Sequence, residues 1–293
     1  MAKEQIPHKI LWLASYPKSG NTWFRAFLTA LMNDGKVDIN DMDSDGIFSS
    51  RDTFDLISEV SSRDLYDDEA KLMLADVYRQ IAVERDSLSI VKVHDAFGPD
   101  PEGKNLIPED VTLGAIYFIR NPLDIAGSLA NHMNFSMDEA VNMLNNSMAY
   151  MAGKRNNLNK KIQFSQYISD WSSHVKSWTA KPSFPVYVMR YEDMLENTFD
   201  TFSKALNFIG WEYTPEQISR AMAASDFEKL SNQEAEKGFK EKPGKSMRFF
   251  RAGTKGNWEK ELSGEQVKKI IAMHKQIMCE YKYLNKDEYK KIK

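Results

Sequence analysis

The stretch that decides the fold runs from residue 10 to residue 23 and reads Ile10-Leu11-Trp12-Leu13-Ala14-Ser15-Tyr16-Pro17-Lys18-Ser19-Gly20-Asn21-Thr22-Trp23. Its first five residues are all apolar, which is typical of a strand that a parallel sheet buries on both faces. A short loop follows, and the periodicity then predicts an amphipathic helix over residues 22–32. A strand, a tight loop and a helix N-terminus aim free backbone N–H groups and the positive end of the helix dipole at one point. We therefore expect a phosphate site, with a full charge from Lys18 and short donors from Ser19, Asn21 and Thr22.

The rest of the chain repeats the alternation of strand and helix. Nearly continuous apolar runs recur at residues 90–93, 113–119 and 186–189, and helical periodicity lies between them at residues 70–84, 123–133 and 165–179. This alternation predicts an α/β fold, a single domain over residues 1–293 whose central, mostly parallel sheet is flanked by helices. The last third is predicted to be helical, from capping patterns at Thr214–Gln217 and Ser263–Gln266, with Gly210 ending the helix before them.

Composition and charge exclude several classes of protein. The 293 residues are 42% hydrophobic and 28% charged with a net charge of −3, so the chain does not coat nucleic acid through bulk positive charge. The one cysteine, Cys279, cannot form an intramolecular disulfide, and no Cys/His cluster has zinc spacing, so a cytoplasmic location and no metal are expected. The apolar run at residues 10–14 is too short for a signal peptide, and no run is long enough for a membrane span.

The phosphate loop differs from that of nucleoside triphosphatases, in which Lys follows the second Gly. Here Lys18 precedes Gly20, and the loop resembles the 5′-phosphosulfate loop of the sulfotransferase family, Tyr-Pro-Lys-Ser-Gly-Thr-Thr-Trp, with Asn21 replacing the first Thr. A second match is Arg120, which leaves a predicted strand, with Ser128 eight residues later in the following helix. The resemblance implies that Arg120 and Ser128 hold the 3′-phosphate of 3′-phosphoadenosine 5′-phosphosulfate (PAPS).

Two more segments resemble parts of the family's nucleotide site. Residues 251–258 read Arg-Ala-Gly-Thr-Lys-Gly-Asn-Trp, similar to the family's Arg-Lys-Gly-x-x-Gly-Asp-Trp, so Arg251, Ala252 and Gly253 are expected at the 3′-phosphate, with Ala252 replacing a Lys. The resemblance also places Trp23, Tyr191, Ser225 and Phe227 around the adenine. The basic run Lys237, Lys240, Lys242, Lys245 and Arg248 is either a solvated loop or an attractor of the anionic donor.

The candidate catalytic residues lie at Val91-Lys92-Val93-His94, at the end of a predicted strand, where α/β sheets place their ligands. His is the side chain whose unperturbed pKa lies closest to neutral pH, which suits a base for an acceptor hydroxyl. The resemblance implies that His94 is the general base, that Lys18 neutralises the leaving nucleotide, and that Lys92 assists at the sulfuryl group. It also implies that Ser128 holds Lys18 back until the acceptor arrives.

The chain is thus identified as a member of the cytosolic-type sulfotransferases, which implies transfer from PAPS to a hydroxyl, with adenosine 3′,5′-bisphosphate (PAP) as product. Two alternatives stay open: a P-loop kinase or nucleoside triphosphatase, for which Asp95 could hold magnesium, and an inactive nucleotide-binding module. The acceptor is expected to be a small alcohol or phenol facing the variable segments 38–68 and 134–159, which are either surface loops or lids. The family's C-terminal dimer signature is not evident around residues 257–268, so monomer and homodimer are both possible.

Overall fold

The structure is a computed structural model that describes residues 9–42, 46–101, 103–152, 163–180, 182–242 and 248–284. The strands are β1 (Ile10–Ser15), β2 (Ser89–Val93), β3 (Thr112–Ile119), β4 (Tyr150–Met151), β5 (Gln166–Tyr167) and β6 (Val186–Arg190). The helices are α1 (Asn21–Met32), α2 (Arg51–Ser58), α3 (Asp67–Glu84), α4 (Pro122–Met133), α5 (Met137–Leu144), α6 (Trp171–Thr179), α7 (Tyr191–Glu196), α8 (Thr198–Phe208), α9 (Pro215–Ala224), α10 (Phe227–Lys237), α11 (Trp258–Glu261) and α12 (Gly264–Glu280).

The central sheet has the strand order β2-β1-β3-β6, and every neighbouring pair is parallel. All four strands therefore end at the same edge of the sheet. Lys18, His94, Arg120 and Tyr191 follow these four strand ends, so residues far apart in sequence meet there. The predicted α/β single domain with a central parallel sheet is confirmed.

Helices cover both faces of this sheet, which explains why β1 is apolar from Ile10 to Ala14. Trp12 and Ala14 belong to one hydrophobic core, whereas Leu11 and Leu13 belong to a second core on the opposite face. Successive side chains of a strand point to opposite faces, so a strand between two cores is apolar at consecutive positions rather than at alternate ones.

Capping residues place most helix ends where the sequence predicts them. Thr214 and Ser263 form capping boxes with Gln217 and Gln266 at the starts of α9 and α12. Gly210, with φ 74°, follows the last turn of α8. The predicted helix over residues 165–179 is wrong in its first turn and a half, because Gln166–Tyr167 pairs as β5 with β4 and Asp170 caps a helix that begins at Trp171.

The two variable segments contain defined elements where they are described. Segment 38–68 includes α2, whose start is capped by Ser50, and the first residues of α3. Segment 134–159 includes α5 and β4, while its residues 153–159 lie outside the described residues. Among the described residues, no helix is long and apolar enough to cross a membrane.

Candidate active site

The loop between β1 and α1 has the geometry of an anion site. Gly20 has φ 101°, and a Cβ there would lie 2.7 Å from the ring of Tyr191, so this position needs both the left-handed backbone and the missing side chain of glycine. The helix begins directly afterwards at Asn21, and its first backbone hydrogen bonds run from Trp23 and Phe24 to the Gly20 carbonyl oxygen, which leaves the N–H groups of Asn21 and Thr22 without an acceptor in the helix. These donors open into a cavity of about 1420 Å³.

The cavity brings together every residue that the sequence predicts for the site except Ser225. The lining residues among them are Lys18, Ser19, Gly20, Asn21, Thr22, Trp23, Lys92, His94, Arg120, Ser128, Tyr191, Phe227, Arg251, Ala252 and Gly253. They come from six separate parts of the chain. The Ser225 side chain is fully buried elsewhere and donates to the carbonyl oxygen of Ala221 at 2.9 Å.

Lys18 is a partly buried lysine at the centre of the loop. Its ammonium lies 3.8 Å from the centroid of the Phe249 ring, a cation–π contact. Burial, followed by the positive charges of Lys92 and Arg120, lowers the pKa of Lys18 to about 7. Within the described residues no hydrogen bond joins Lys18 to Ser128, so the restraint that the resemblance implies is not formed in this structure.

The side chain of Asn21 points into the fold rather than acting as a donor to the cavity. Its Nδ2 donates to the carbonyl oxygen of Leu13 at 2.7 Å and lies 3.4 Å from Oγ of Ser15. The expectation that the Asn21 amide serves as a ligand donor in place of the family's Thr is therefore not supported. The hydroxyl of Ser19, in contrast, is buried without a hydrogen-bond partner.

Arg120 spans the loop and the segment around Gly253. Its two Nη atoms donate to the carbonyl oxygens of Lys18 and Thr254, both at 3.1 Å, and its guanidinium stacks 4.2 Å from the ring of Tyr191. Its Nε is buried without a partner. Arg251 approaches the same end of the cavity and forms an ion pair with Glu261 at 2.9 Å.

Hydrogen bonding fixes the orientation and tautomer of His94. Its Nδ1 lies 2.8 Å from the carbonyl oxygen of Ser15, and because a carbonyl oxygen only accepts, Nδ1 carries the ring hydrogen and Nε2 has a free lone pair. Burial, then the charge of Lys92, holds the pKa of His94 well below its usual range, so the ring is neutral at pH 7. His174, which donates from Nε2 to the His94 carbonyl oxygen at 3.0 Å, supports the same strand end.

Glu241 is a site residue that the sequence analysis missed. Its carboxylate lines the cavity and bridges Arg25 of α1 at 2.6 Å and Lys92 of β2 at 2.8 Å. Burial alone would raise the pKa of Glu241, but these two cations outweigh it and hold that pKa far below its usual range. Its sequence neighbours, Lys240 and Lys242, obscure it, because the run around it is predominantly basic.

Among its described residues, the variable segment 134–159 contributes Met151 and Ala152 to the cavity lining. Met133 and Met151 line the cavity together with Ile47, Gln163 and Gln166. Met137 and Met143 instead pack against the hydrophobic core, and Met148 is exposed. One wall of the cavity is therefore mixed apolar and amide in character.

Asp95 does not have the position that a magnesium-binding kinase would need. It is buried, it does not line the cavity, and its Oδ1 accepts from the backbone N–H of Tyr167 at 2.9 Å. Its carboxylate thus holds β5 against the end of β2, which is a structural role.

The comparison with known families agrees with this geometry. The model of the sulfotransferase domain matches residues 8–282. The chain belongs to the sulfotransferase domain family. The expectation of a sulfotransferase, an enzyme of the transferase class, is thereby confirmed, and the kinase alternative is wrong.

Curated relatives are distant but cover most of the chain. Flavonol 3-sulfotransferase of Flaveria bidentis is 24% identical over 89% of this chain and 78% of that protein. Sulfotransferase 1E1 of Homo sapiens is 25% identical over 92% of this chain and 84% of that protein.

Solved sulfotransferase-fold structures share the architecture. A retinol dehydratase in complex with retinol and PAP superposes with a TM-score of 0.59, at 20% identity, over 93% of this chain and 82% of that one. Mouse sulfotransferase SULT7A1 with PAP superposes with a TM-score of 0.55, at 15% identity, over 100% of this chain and 94% of that one. At these identities the likeness concerns the fold.

Proposed function

We propose that this sulfotransferase takes its sulfuryl group from PAPS and transfers it to a hydroxyl group of a small molecule. The observation that carries the proposal is that one cavity is lined by the Lys18 loop, by the strand end at His94 and by two arginines, Arg120 and Arg251. These groups match a ligand with a phosphosulfate at one end and a second phosphate at the other. The buried, unpartnered Nε of Arg120 and Oγ of Ser19 are polar atoms that such an anion would satisfy.

The aromatic residues at the cavity support an adenine site. Trp23, Tyr191 and Phe227 line it, and a flat base needs such ring faces. The 1420 Å³ of the cavity exceeds the roughly 300–1,000 Å³ typical of a site for one small ligand, which supports room for a donor and an acceptor together.

The residues act in the transfer as follows. PAPS supplies the sulfuryl group: the acceptor oxygen forms a bond to sulfur while the bond from sulfur to the 5′-phosphate oxygen breaks. His94 accepts the hydroxyl proton at Nε2, the nitrogen that the Ser15 carbonyl leaves free. Lys18 offsets the negative charge that develops on the 5′-phosphate oxygen, and Lys92 binds the sulfuryl oxygens. No metal is required for these roles.

The acceptor class follows from the mixed wall of the cavity. Met133 and Met151 favour an apolar ring system, and Gln163 and Gln166 can hydrogen-bond to its substituents. The relatives include a flavonol 3-sulfotransferase and a luciferin sulfotransferase, which supports a lipophilic alcohol or phenol. Several relatives are named cytosolic, and with the lone Cys279 this supports a cytoplasmic location.

The first experiment is isothermal titration of PAP, beside ATP with magnesium, into the wild type and the Arg120→Ala variant. We expect PAP to bind, ATP to give no comparable signal, and Arg120→Ala to lose PAP binding. Arg79→Ala is the matched control, because Arg79 pairs with Asp110 outside the cavity. Preferential binding of ATP, or unchanged PAP binding by Arg120→Ala, would overturn the donor assignment; a positive result leads to an acceptor screen with PAPS.

A further inference from the structure

Two carboxylates form ion pairs with cations that line the cavity and are proposed to bind the donor. Glu241 binds Lys92 at the end proposed for the sulfuryl group. Glu261 binds Arg251 at the end proposed for the 3′-phosphate. An anion-binding cavity gains nothing from these carboxylates when an anionic ligand is bound, because like charges in a site of low dielectric repel.

The three residues before Glu241 are anchored to the rest of the protein. Nδ2 of Asn40 donates to the carbonyl oxygen of Gly238 at 3.0 Å, and the N–H of Lys240 donates to Oδ1 of Asn40 at 2.7 Å. Phe239 is buried against Phe249 and Phe250. The side chain of Glu241, 18% exposed, therefore lines the cavity from a segment that these contacts fix in place.

Glu261 lies directly on the helix that carries Ser128. A Cβ added to Gly127 would overlap Oε2 of Glu261 and would lie 3.3 Å from Nη2 of Arg251. The carboxylate thus lies over the first turns of α4, between a guanidinium and the residue before Ser128. A phosphate bound by Arg251 would compete with this carboxylate for the guanidinium.

We propose that Glu241 and Glu261 are internal counter-anions, which compete with the sulfuryl group and the 3′-phosphate of the donor for Lys92 and Arg251. This inference rests on the proposed function. The carboxylates neutralise Lys92, Arg25 and Arg251 while no donor is bound. An incoming ligand must replace them, so they select ligands that carry both anionic groups together with the adenosine that supplies the remaining binding energy.

Each end can be tested with two ligands that differ by one anionic group. Adenosine 5′-phosphate and PAP differ by the 3′-phosphate, so their affinity ratio reports on Glu261. PAP and PAPS, measured without acceptor, differ by the sulfuryl group, so their ratio reports on Glu241. Isothermal titration of the three ligands into the wild type, Glu241→Gln, Glu261→Gln and Asp110→Asn gives all ratios by binding alone.

We expect Glu261→Gln to raise the preference for PAP over adenosine 5′-phosphate about two- to fivefold, since the pair with Arg251 is partly exposed. We expect Glu241→Gln to raise the preference for PAPS over PAP by about fivefold or more, because this pair is more buried and joins two cations. Asp110→Asn, which breaks the surface pair with Arg79, should change neither ratio.

Unchanged or lower ratios in both glutamine variants would overturn the inference, because the carboxylates would then position the cations rather than compete for them. That outcome leaves the proposed function intact if the wild type binds PAP and Arg120→Ala does not. Absence of PAP binding in the wild type overturns both proposals. If Glu241→Gln proves unstable on heating, Glu261→Gln decides the matter alone, since its side chain is less buried.

Discussion

Lys18 shows how burial tunes one residue for its ligand. A lysine in water keeps its charge to above pH 10, but the cavity lowers the pKa of Lys18 to about 7 through burial, with Lys92 and Arg120 adding to it. A bound anion reverses this, because it favours the charged ammonium and raises that pKa. Binding of the anion is then coupled to uptake of a proton by Lys18 whenever the pH exceeds the pKa of Lys18 in the ligand-free protein.

The affinity for PAP should therefore be greatest below pH 7 and should weaken by up to about tenfold per pH unit between pH 7 and pH 9. Isothermal titration across this range measures the change, and the phosphates of PAP are already deprotonated there. Lys18→Arg is the control, because arginine stays charged throughout and should give a flat profile. An equally steep profile for Lys18→Arg would contradict the assignment.

His94→Ala should lower kcat by roughly a hundred- to ten-thousandfold while the Kd for PAP changes little, because only proton abstraction is lost. Steady-state assays with PAPS and titration with PAP measure the two effects. His132 lines the same cavity without the Ser15 carbonyl contact, so His132→Ala is the matched control, expected to retain kcat within about tenfold. Equal losses of affinity and rate for His94→Ala would refute the base assignment.

The acid limb of the pH–rate profile provides a second measurement on the same residue. Burial, followed by Lys92, keeps the pKa of His94 well below 6.5, and a base works only when deprotonated. Activity should consequently persist below pH 6.5 and fall only in more acidic solution. An inflection at the usual histidine pKa would contradict this assignment.

At the scale of elements, the loop after Phe250 depends on glycine in two different ways. Gly253 and Gly256 both have positive φ, 62° and 80°, but a Cβ at Gly253 would collide with the ring of Phe227, whereas a Cβ at Gly256 meets open space. A substitution at Gly256 therefore reports the effect of backbone strain alone. A substitution at Gly253 adds the effect of displacing the Phe227 ring from the cavity wall.

Gly253→Ala should weaken PAP binding about tenfold or more, whereas Gly256→Ala should change it by less than about threefold. Both substitutions introduce the strain of positive φ, on the order of 1 kcal/mol, so this strain does not account for the difference. Titration with PAP compares the pair, and urea unfolding checks that their stabilities are similar. Equal effects on affinity would show that Phe227 does not border the nucleotide.

Sequence patterns located the elements well where the signal was local. The apolar run of β1 and the capping box at Ser263 depend on neighbours a few residues away, and both are where they were expected. The start of α6 was misplaced because Gln166 and Tyr167 pair with residues 150–151, a tertiary contact that overrides local periodicity. Ser225 does not line the cavity in this structure, because its place in a family pattern does not fix where its hydroxyl points.

At the scale of the whole molecule, the ion pairs of the site could not be predicted from the sequence. The net charge is −3, yet one cavity gathers Lys18, Lys92, Arg120 and Arg251. Glu241 lies 216 residues after Arg25 and 149 after Lys92, and no local pattern connects residues so distant. The recognisable motifs identified the cations, whereas their carboxylate partners required the fold.

Binding at this cavity should stabilise the entire domain, because its lining comes from strands and loops throughout the chain. At a concentration of PAP a hundred times its Kd, unfolding should cost about 2.7 kcal/mol more, which raises Tm by several degrees. Thermal scans with and without PAP measure the shift, and Arg120→Ala should not show it. A shift of the same size in Arg120→Ala would place the ligand elsewhere.

The order of the strands has a consequence for synthesis of the chain. The last strand of the parallel sheet ends at Arg190, whereas Arg251 and Gly253 complete the cavity from some sixty residues further along. A nascent chain can thus form its sheet on the ribosome before its nucleotide-binding site is complete. The site is complete only when the segment around Arg251 and Gly253 has emerged, so we expect nucleotide to stabilise chains that contain this segment more than chains truncated before it.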